Sequence, residues 1–331
     1  MFNTAIIGAG VIGGMIAREL TKYGLSVCII EKENDVAMGA TKANSAIVHA
    51  GFDALEGSLK AILNVKGSQM MPTVTKELGV KYQNNGSLVI GFNEADEKVI
   101  NKLFERGIKN GVKGLELLNS TALKEKEPNI SSNASCALWA PTGAIVCPYE
   151  LTVAAIGNAM DNGAELKLNF CVKDIEKTES GYLIKSDNDE IEAEWIINAA
   201  GIYADKIAKL VGDNSFEIHP RKGEYILLDR ECDGLVTHTI FRTPSKMGKG
   251  ILISPTVDNN ILLGPTSTDE ADKENTSTTQ AGFDKIIKES VENVENVPLN
   301  KAITSFCGIR AVGSTGDFII NCFEKGLINV A

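Results

Sequence analysis

The sequence predicts an α/β protein of about two domains, one built on a parallel sheet and one on an antiparallel sheet. Three observations predict this. The chain has 331 residues, which is about the length of two ordinary domains. A strand–turn–helix–strand unit opens it, within residues 4–31, as in parallel α/β sheets. Strand patterns separated by turn residues fill the stretch 219–264, as in antiparallel sheets.

The opening unit contains a glycine turn in a specific context. A short apolar run, 4–7, ends in Gly-Ala-Gly-Val-Ile-Gly at 8–13. A helical pattern follows over 15–23, and a second apolar run, 25–30, ends at Glu31. The turn therefore stands directly after a strand and directly before a helix, which is the context of a dinucleotide-binding fingerprint.

Each residue type in the fingerprint has a physical reason. Gly8 permits the tight turn, Gly10 lets backbone approach a pyrophosphate, and Gly13 allows close packing of helix and strand. The helix N-terminus offers N–H groups and a positive dipole end to phosphates. Glu31 is placed to accept hydrogen bonds from ribose hydroxyls. The alternative interpretation is a structural turn with a solvated Glu31, which leaves the spacing unexplained.

The segment 39–52 favours FAD over NAD. It is dense in small residues, which let backbone run beside an elongated ligand, and Thr41 and Ser45 add hydroxyl groups. A plain NAD domain more often has an amphipathic crossover at this place. A purely NAD-binding dehydrogenase remains an alternative, and it would be colourless when purified.

The stretch 39–61, which ends in Gly-Ser-Leu-Lys-Ala, resembles the second signature of the D-amino-acid-oxidase-like superfamily of FAD enzymes. It is most similar to two branches, the anaerobic glycerol-3-phosphate dehydrogenase large subunit and the L-2-hydroxyglutarate oxidase/dehydrogenase. The resemblance covers nearly the whole chain. It implies a Rossmann-like FAD-binding domain interleaved with an α+β substrate domain. The implied bounds are 1–75, 147–212 and 305–331 for the FAD-binding domain, and 76–146 and 213–304 for the substrate domain.

The stretch 195–205 is a buried strand, a turn of small residues and a helix start. It is similar to the Ala-Gly motif with which FAD enzymes close over the adenosine half of the cofactor; a plain strand–helix turn is the alternative. Where Cys147 stands, many superfamily relatives have an aspartate, so Cys147 is interpreted as structural. The predicted FAD contacts are Gly8, Gly10, Ile12, Gly13, Glu31, Lys32, Ala40, Thr41, Asn44, Ser45, Ala46, Val172, Ala200 and Gly201.

Three further expectations concern individual segments. A helix is predicted over 63–78, and one strand over 166–175 is predicted to return the chain to the cofactor domain. In the resembled families the closing strand, 326–331 here, continues into a glycine-rich loop and a helix over the flavin. The sequence ends on that strand, so the resemblance implies an FAD-binding domain truncated at its C-terminus.

The composition limits the kinds of partner and the cellular location that we expect for the protein. Hydrophobic residues make up 44% of the chain, and its net charge of −10 disfavours nucleic-acid binding, which needs basic surface. An acidic chain without an apolar run of about 18 residues predicts a cytoplasmic protein with no transmembrane segment, with peripheral membrane association left open. Seven cysteines without a CxxC pair predict reduced thiols, and no metal site is predicted.

Oxidation of an alcohol by a flavin needs an anchor for the substrate and a base. The flavin accepts hydride at N5 while a side chain takes the hydroxyl proton. Arg310 is the predicted anchor, since guanidinium binds carboxylate or phosphate through paired hydrogen bonds. His49 is the first candidate base and, by the resemblance, a possible point of covalent FAD attachment; His238 is the second. The alternatives are a structural arginine and packed histidines. Possible helpers are Arg221, Lys222, Arg242, Lys246 and Lys249.

The resulting hypothesis is an FAD-dependent dehydrogenase of a small anionic alcohol. The first substrate choice is sn-glycerol 3-phosphate, giving dihydroxyacetone phosphate, and the alternative is L-2-hydroxyglutarate. An electron-acceptor protein or a quinone system would take the electrons. A hypothesis of another class is a non-catalytic flavin-binding subunit that passes electrons on.

Overall fold

The computed structural model describes residues 1–244 and 250–331. The helices are α1 Val11–Thr21, α2 Leu59–Leu78, α3 Glu94–Lys109, α4 Ser120–Lys126, α5 Pro148–Asp161, α6 Ala204–Leu210 and α7 Gln280–Asn293. The first ten strands are β1 Phe2–Ile7, β2 Val27–Ile30, β3 Ile47–Val48, β4 Tyr82–Gln83, β5 Ser87–Gly91, β6 Glu116–Asn119, β7 Cys136–Ala140, β8 Ala144–Val146, β9 Glu165–Lys167 and β10 Asp174–Lys177. The others are β11 Tyr182–Lys185, β12 Glu190–Asn198, β13 Ile218–Leu228, β14 Thr239–Arg242, β15 Leu252–Pro255, β16 Ile261–Gly264, β17 Thr268–Asp269, β18 Ala302–Gly313, β19 Ile320–Glu324 and β20 Leu327–Val330.

The first sheet is built around the amino-terminal strand. β1 pairs in parallel with β2 on one side and with β12 on the other. β9 extends the sheet in parallel beyond β2, and β20 extends it beyond β12. The antiparallel pair β10–β11 joins the beginning of β12. The strands next to the glycine turn are buried because both faces of this sheet are covered, which is the usual state of a parallel sheet.

The prediction of a single strand over 166–175 is wrong. The chain forms the edge strand β9 and, after a break, β10, which pairs with β11 near the opposite side of β1. Asn169 between them has a positive φ of 57°, which ends an extended run. A single continuous strand could not join both places in the sheet.

The second sheet is mainly antiparallel. Its order is β17-β13-β16-β15-β14-β5-β7-β6, and β18 pairs with β13 on a further edge. One of its hydrophobic clusters includes Leu88, Ile240 and Ile286 of α7, and another includes Phe52, Leu103 of α3 and Phe241. The mixed α/β fold class is therefore confirmed.

Segment 305–331 contributes to both sheets. β18 pairs antiparallel with β13 from 302 to 313, whereas β19 and β20 belong to the first sheet. The domain bounds remain a proposal, and this pairing favours a bound near 313 over one at 305.

Helix α2 begins four residues before its predicted start at 63. Ser58 accepts a hydrogen bond from Ala61 N–H, as an N-cap does. The carboxylate of Asp317 also accepts from the N–H groups of Leu59 and Lys60, at 2.8 and 2.9 Å. No helix in the two described stretches has the combination of length and apolar character that a bilayer span requires.

Candidate active site

The glycine turn is closed so tightly that side chains would not fit. Gly8 has a φ of +111°, and a Cβ there would lie 2.4 Å from the carbonyl oxygen of Ala199. A Cβ on Gly13 would lie 1.9 Å from the carbonyl oxygen of Gly8. The turn therefore requires glycine at both positions, in one case for conformation and in both for space.

The N-terminus of α1 presents backbone donors and small or apolar residues. Its N-cap is Gly10, which has no side chain to accept from the first turn, and that turn contains no acidic residue. Val11 N–H donates to Thr41 Oγ1 at 3.1 Å, so Thr41 lies directly at the helix end. Ile12 is 49% exposed there, unusual for a large aliphatic side chain. Gly10, Ile12 and Thr41, all predicted FAD contacts, thus come together.

The carboxylate of Glu31 is fixed by hydrogen bonds from two backbone N–H groups, one of them in the glycine turn. Its Oε2 accepts from Ala9 N–H at 2.9 Å, and its Oε1 accepts from Glu33 N–H at 3.0 Å. Carboxylate oxygens have further lone pairs, so a ribose hydroxyl can still donate to this group. Phe170 N–H donates to the carbonyl of Glu31 at 2.8 Å. The segment that contains the predicted FAD contact Val172, two residues further on, therefore runs beside Glu31. The half-buried Val172 packs against the core of the first sheet.

The neighbouring Lys32 points along the protein surface. It forms an ion pair with Glu33 and lies 5.0 Å above the ring of Tyr203. Its side chain therefore contacts other protein groups at the surface, close to the turn that contains Ala200 and Gly201.

The segment 40–46 is shaped by the side chain of Asn44. Its Nδ2 donates to the carbonyls of Ala40 and Thr41 at 3.1 and 2.8 Å, and its Oδ1 accepts from Ala46 N–H at 2.7 Å. These three hydrogen bonds hold Ala46 at a positive φ of 59°. Asn44 thus acts on the shape of the loop, a role that its type allows in turns.

The predicted Ala-Gly turn lies beside the glycine turn. A Cβ on Gly8 would be 3.2 Å from Cα of Ala200, so the two turns touch. Gly201 has a φ of +55°, and a Cβ there would meet no atom within 4 Å. Three separate segments that are rich in small residues therefore meet at the N-terminus of α1. They fit a dinucleotide, because phosphates need donors there and adenosine needs open space.

A face of the β13–β18 pair lies against this loop region. Gly308 of β18 approaches Ala43 so closely that a Cβ would be 1.9 Å from the Ala43 carbonyl oxygen. On the same face, Tyr225 of β13 has its hydroxyl 3.1 Å from Ser45 Oγ. Strand alternation places Arg310, two residues beyond Gly308, on this face as well. Sequence reasoning singled out Arg310 and Ser45 but missed Tyr225.

The two candidate bases are not brought together. His49 follows β3, and its ring centroid lies 5.8 Å from that of Phe241. His238 Nδ1 is 2.9 Å from an oxygen of the buried Glu127, and its ring meets Trp139 edge to face. Along β14, Ile240 and Phe241 pack into different clusters, so His238 shares the side of Ile240 and His49 that of Phe241.

The possible helper cations mostly have other partners. Arg221 pairs with Asp269, and Arg242 pairs with Glu292 of α7. The buried Lys222 donates to Asn275 and Ser277. Lys246 and Lys249 lie outside the described residues. Within 1–244 and 250–331, Arg310 is exposed and has neither a carboxylate nor an amide partner.

Comparison with known proteins agrees with this geometry. The family model for FAD dependent oxidoreductases matches residues 3–331. A glycerol 3-phosphate dehydrogenase of Caloramator mitchellensis is 48% identical, over 100% of this chain and 69% of that protein. The mitochondrial L-2-hydroxyglutarate dehydrogenase of Bos taurus is 30% identical, over 80% of this chain and 60% of that protein.

The structure of dithionite-reduced L-alpha-glycerophosphate oxidase from Mycoplasma pneumoniae, with FAD bound, matches with a TM-score of 0.93 and 29% identity. The match covers 99% of this chain and 88% of that one. The family resemblance and the predicted cofactor are thereby confirmed. The chain belongs to the FAD-dependent oxidoreductase family, and FAD is its cofactor.

Proposed function

We propose that the protein is an FAD-dependent dehydrogenase that oxidises sn-glycerol 3-phosphate to dihydroxyacetone phosphate. FAD, when bound, accepts the hydride that leaves the substrate CH–OH carbon. The similarity to a glycerol 3-phosphate dehydrogenase, which spans all of this chain and 69% of that protein, supports the substrate. The structural observation that carries the proposal is Arg310, a cation without an acidic partner among the described residues, on the sheet face that meets the cofactor loop.

Arg310 has the role of anchor. A guanidinium gives two parallel hydrogen bonds to a phosphate, and Arg221 stands directly opposite it in the β13–β18 register. Since the chain carries a net charge of −10, a local cation is needed to attract an anion. Arg221 shares its charge with Asp269, so Arg310 supplies most of the attraction.

His49 has the role of base in this proposal. A neutral imidazole can take the hydroxyl proton near neutral pH, and His49 belongs to the same 39–52 segment as Ser45. His238 receives no catalytic role, because Glu127 and Trp139 already engage its ring. Covalent attachment of FAD at His49 remains a prediction, as do the cytoplasmic location and an acceptor protein or quinone.

L-2-Hydroxyglutarate is the second candidate substrate. A relative that acts on it is 30% identical over 80% of this chain, and Arg310 would hold a carboxylate as well as a phosphate. The two substrates differ in the anionic group and in length, so one protein preparation can distinguish them directly.

The test is the visible spectrum of the FAD-loaded protein under anaerobic conditions, before and after each substrate. We expect glycerol 3-phosphate to bleach the flavin and L-2-hydroxyglutarate to leave it oxidised. Bleaching by L-2-hydroxyglutarate alone would select the second candidate. If dithionite reduces the flavin but neither substrate does, the result would favour the non-catalytic electron-transfer subunit.

The anchor is tested by Arg310→Met. We expect kcat/KM to fall by about a hundredfold or more at unchanged FAD content, since one partner of a charge-assisted pair is lost. Arg230→Met removes an exposed arginine from a different segment and should leave kcat/KM within twofold of wild type. Equal effects of the two substitutions would refute the role of Arg310.

A further inference from the structure

Tyr225 is a buried phenol in an unusual position. Its side chain is 5% exposed, and its ring stacks on Phe306 of β18 with centroids 4.7 Å apart and planes 13° from parallel. The hydroxyl reaches out of the sheet to Ser45 Oγ at 3.1 Å. A buried ring that is stacked on a neighbouring ring holds its hydroxyl in one place, at little further cost in side-chain entropy.

The strand register puts Tyr225 and Arg310 on one face with a gap between them. Tyr225 is opposite Phe306, Gly223 is opposite Gly308, and Arg310 is the next residue of β18 on that face. The two facing residues between the phenol and the guanidinium are glycines, so neither strand places a side chain there; the ring of Pro265 packs over Gly223, 3.0 Å from where its Cβ would lie. Into this gap projects the carbonyl of Ala43, which occupies the place of a Gly308 side chain.

The phenol stays protonated at working pH. Burial raises the pKa of Tyr225 to about 12, against the opposite influence of the Ser45 hydrogen bond and of the Arg310 charge. The hydroxyl is therefore available as a hydrogen-bond donor and acceptor and is not a base. A buried hydroxyl needs a partner, and among residues 1–244 and 250–331 Ser45 Oγ provides it.

We propose that Tyr225 is a positioning residue. Through its hydrogen bond to Ser45 it fixes the distance between the turn 44–46, which is predicted to contact FAD, and Arg310, which holds the anionic group of the substrate. This inference rests on the proposed function for its substrate part. The rest depends only on the predicted contact of Ser45 with FAD. It gives Ser45 a second task, as the link between the cofactor loop and the substrate sheet.

The test is a double-mutant cycle of Tyr225→Phe and Ser45→Ala. Tyr225→Phe removes the hydroxyl and keeps the stacked ring. We expect each single change to raise the dissociation constant of FAD about fivefold and to lower kcat/KM about tenfold, as the loss of one hydrogen bond predicts. The double variant should be no worse than Ser45→Ala alone, because that change already removes the contact that Tyr225→Phe removes.

Tyr182→Phe is the matched control. Tyr182 is 2% exposed, and its hydroxyl bonds Glu324 and the carbonyl of Lys325, in the first sheet. The same loss of one buried hydroxyl should change thermal stability and leave FAD affinity and kcat/KM within twofold of wild type. A general effect of packing would move both tyrosine variants equally, and that result would overturn the inference.

Two further outcomes would contradict the role proposed for Tyr225. Effects that multiply in the double variant would show that the two hydroxyls act independently, which contradicts the proposal, and so would a Tyr225→Phe protein within twofold of wild type. If wild-type protein is not reduced by glycerol 3-phosphate, the proposed function fails, yet the cycle in FAD affinity still decides for or against Tyr225.

Discussion

The glycine turn at 8–13 and the β13–β18 pair contribute to the same site in different ways. The turn is complete within a few residues, because the steric need for Gly8 and Gly13 arises from their immediate strand and helix. The β13–β18 pair matters only because its register brings Tyr225 and Arg310 to one face, against a loop near the other end of the chain.

This difference separates two kinds of contribution. The turn is expected to decide whether FAD binds at all, since it shapes the phosphate-binding end of α1. The strand pair is expected to decide how substrate and cofactor meet. Substitutions in the two regions should therefore affect FAD content and turnover to different degrees, and two predictions test this separation.

The largest effect is expected for Gly13→Ala. The added Cβ would lie 1.9 Å from the Gly8 carbonyl oxygen, so the helix must move away from the strand. We expect a loss of about 3 kcal/mol in stability and protein purified without FAD. The flavin-to-protein absorbance ratio measures this.

Gly157→Ala is the control for that change. Gly157 lies in α5, and a Cβ there would meet no atom within 4 Å. Alanine is the better helix former by about 1 kcal/mol, so this variant should be as stable as wild type or more so, with full FAD content. Normal flavin in Gly13→Ala would remove the steric basis assigned to the turn.

A smaller and different effect is expected for Gly308→Ala. Its Cβ would lie 1.9 Å from the Ala43 carbonyl oxygen and would push β18 and the loop apart. The glycines of the turn 8–13 are unchanged, so FAD should bind more weakly but still bind, whereas turnover should fall about a hundredfold from a displacement of about 1 Å. Ser305→Ala, an exposed change on the same strand, should have no effect. Loss of FAD from Gly308→Ala would erase the distinction between the regions.

The same difference explains what the sequence could and could not predict. Gly8, Gly13 and the strands within 219–264 depend on neighbours in the chain, and local patterns indicated them correctly. Tyr225 was missed because its partner Ser45 is 180 residues away. Strand alternation alone would have put Tyr225 and Arg221 on one face. Which strand pairs with them depends on register, which a single sequence does not display.

Two other differences have the same cause. Helix α2 was predicted to begin at 63, but Ser58 caps it and Asp317, 258 residues from Leu59, accepts from its first N–H groups, so the helix starts at 59. His238 was a candidate base on residue type, yet Glu127, 111 residues away, accepts from both its backbone and its ring. In each case a contact distant in sequence settled the role of a residue.

The smallest effect is expected where a distant contact serves only as scaffold. Lys273, from the loop after β17, forms a 2.7 Å ion pair with Asp205 of α6, and both side chains are mostly buried. Lys273 also donates to the carbonyl of Ile202, beside the Ala-Gly turn. We expect Lys273→Met to cost about 2 kcal/mol in urea unfolding at pH 7, with FAD content and kcat/KM nearly unchanged.

This cost should depend on pH in a defined direction. Burial acts to raise the pKa of Asp205, but the hydrogen bond from Lys273 and the Ile218 N–H outweigh burial and lower it. A carboxyl whose folded pKa is depressed adds stability above its unfolded pKa, about 3.9, and loses it as pH falls through the folded value. The difference between Lys273→Met and wild type should thus be constant from pH 7 to about 5 and shrink below about 4. Lys206→Met is the control, because both lysines lie over the ring of Tyr203, Lys273 at 5.8 Å and Lys206 at 5.1 Å, but the Lys206 side chain forms no ion pair with Asp205. It should show neither the cost nor the pH dependence. A Lys273→Met protein that lost turnover in proportion to FAD would show instead that this distant contact belongs to the site.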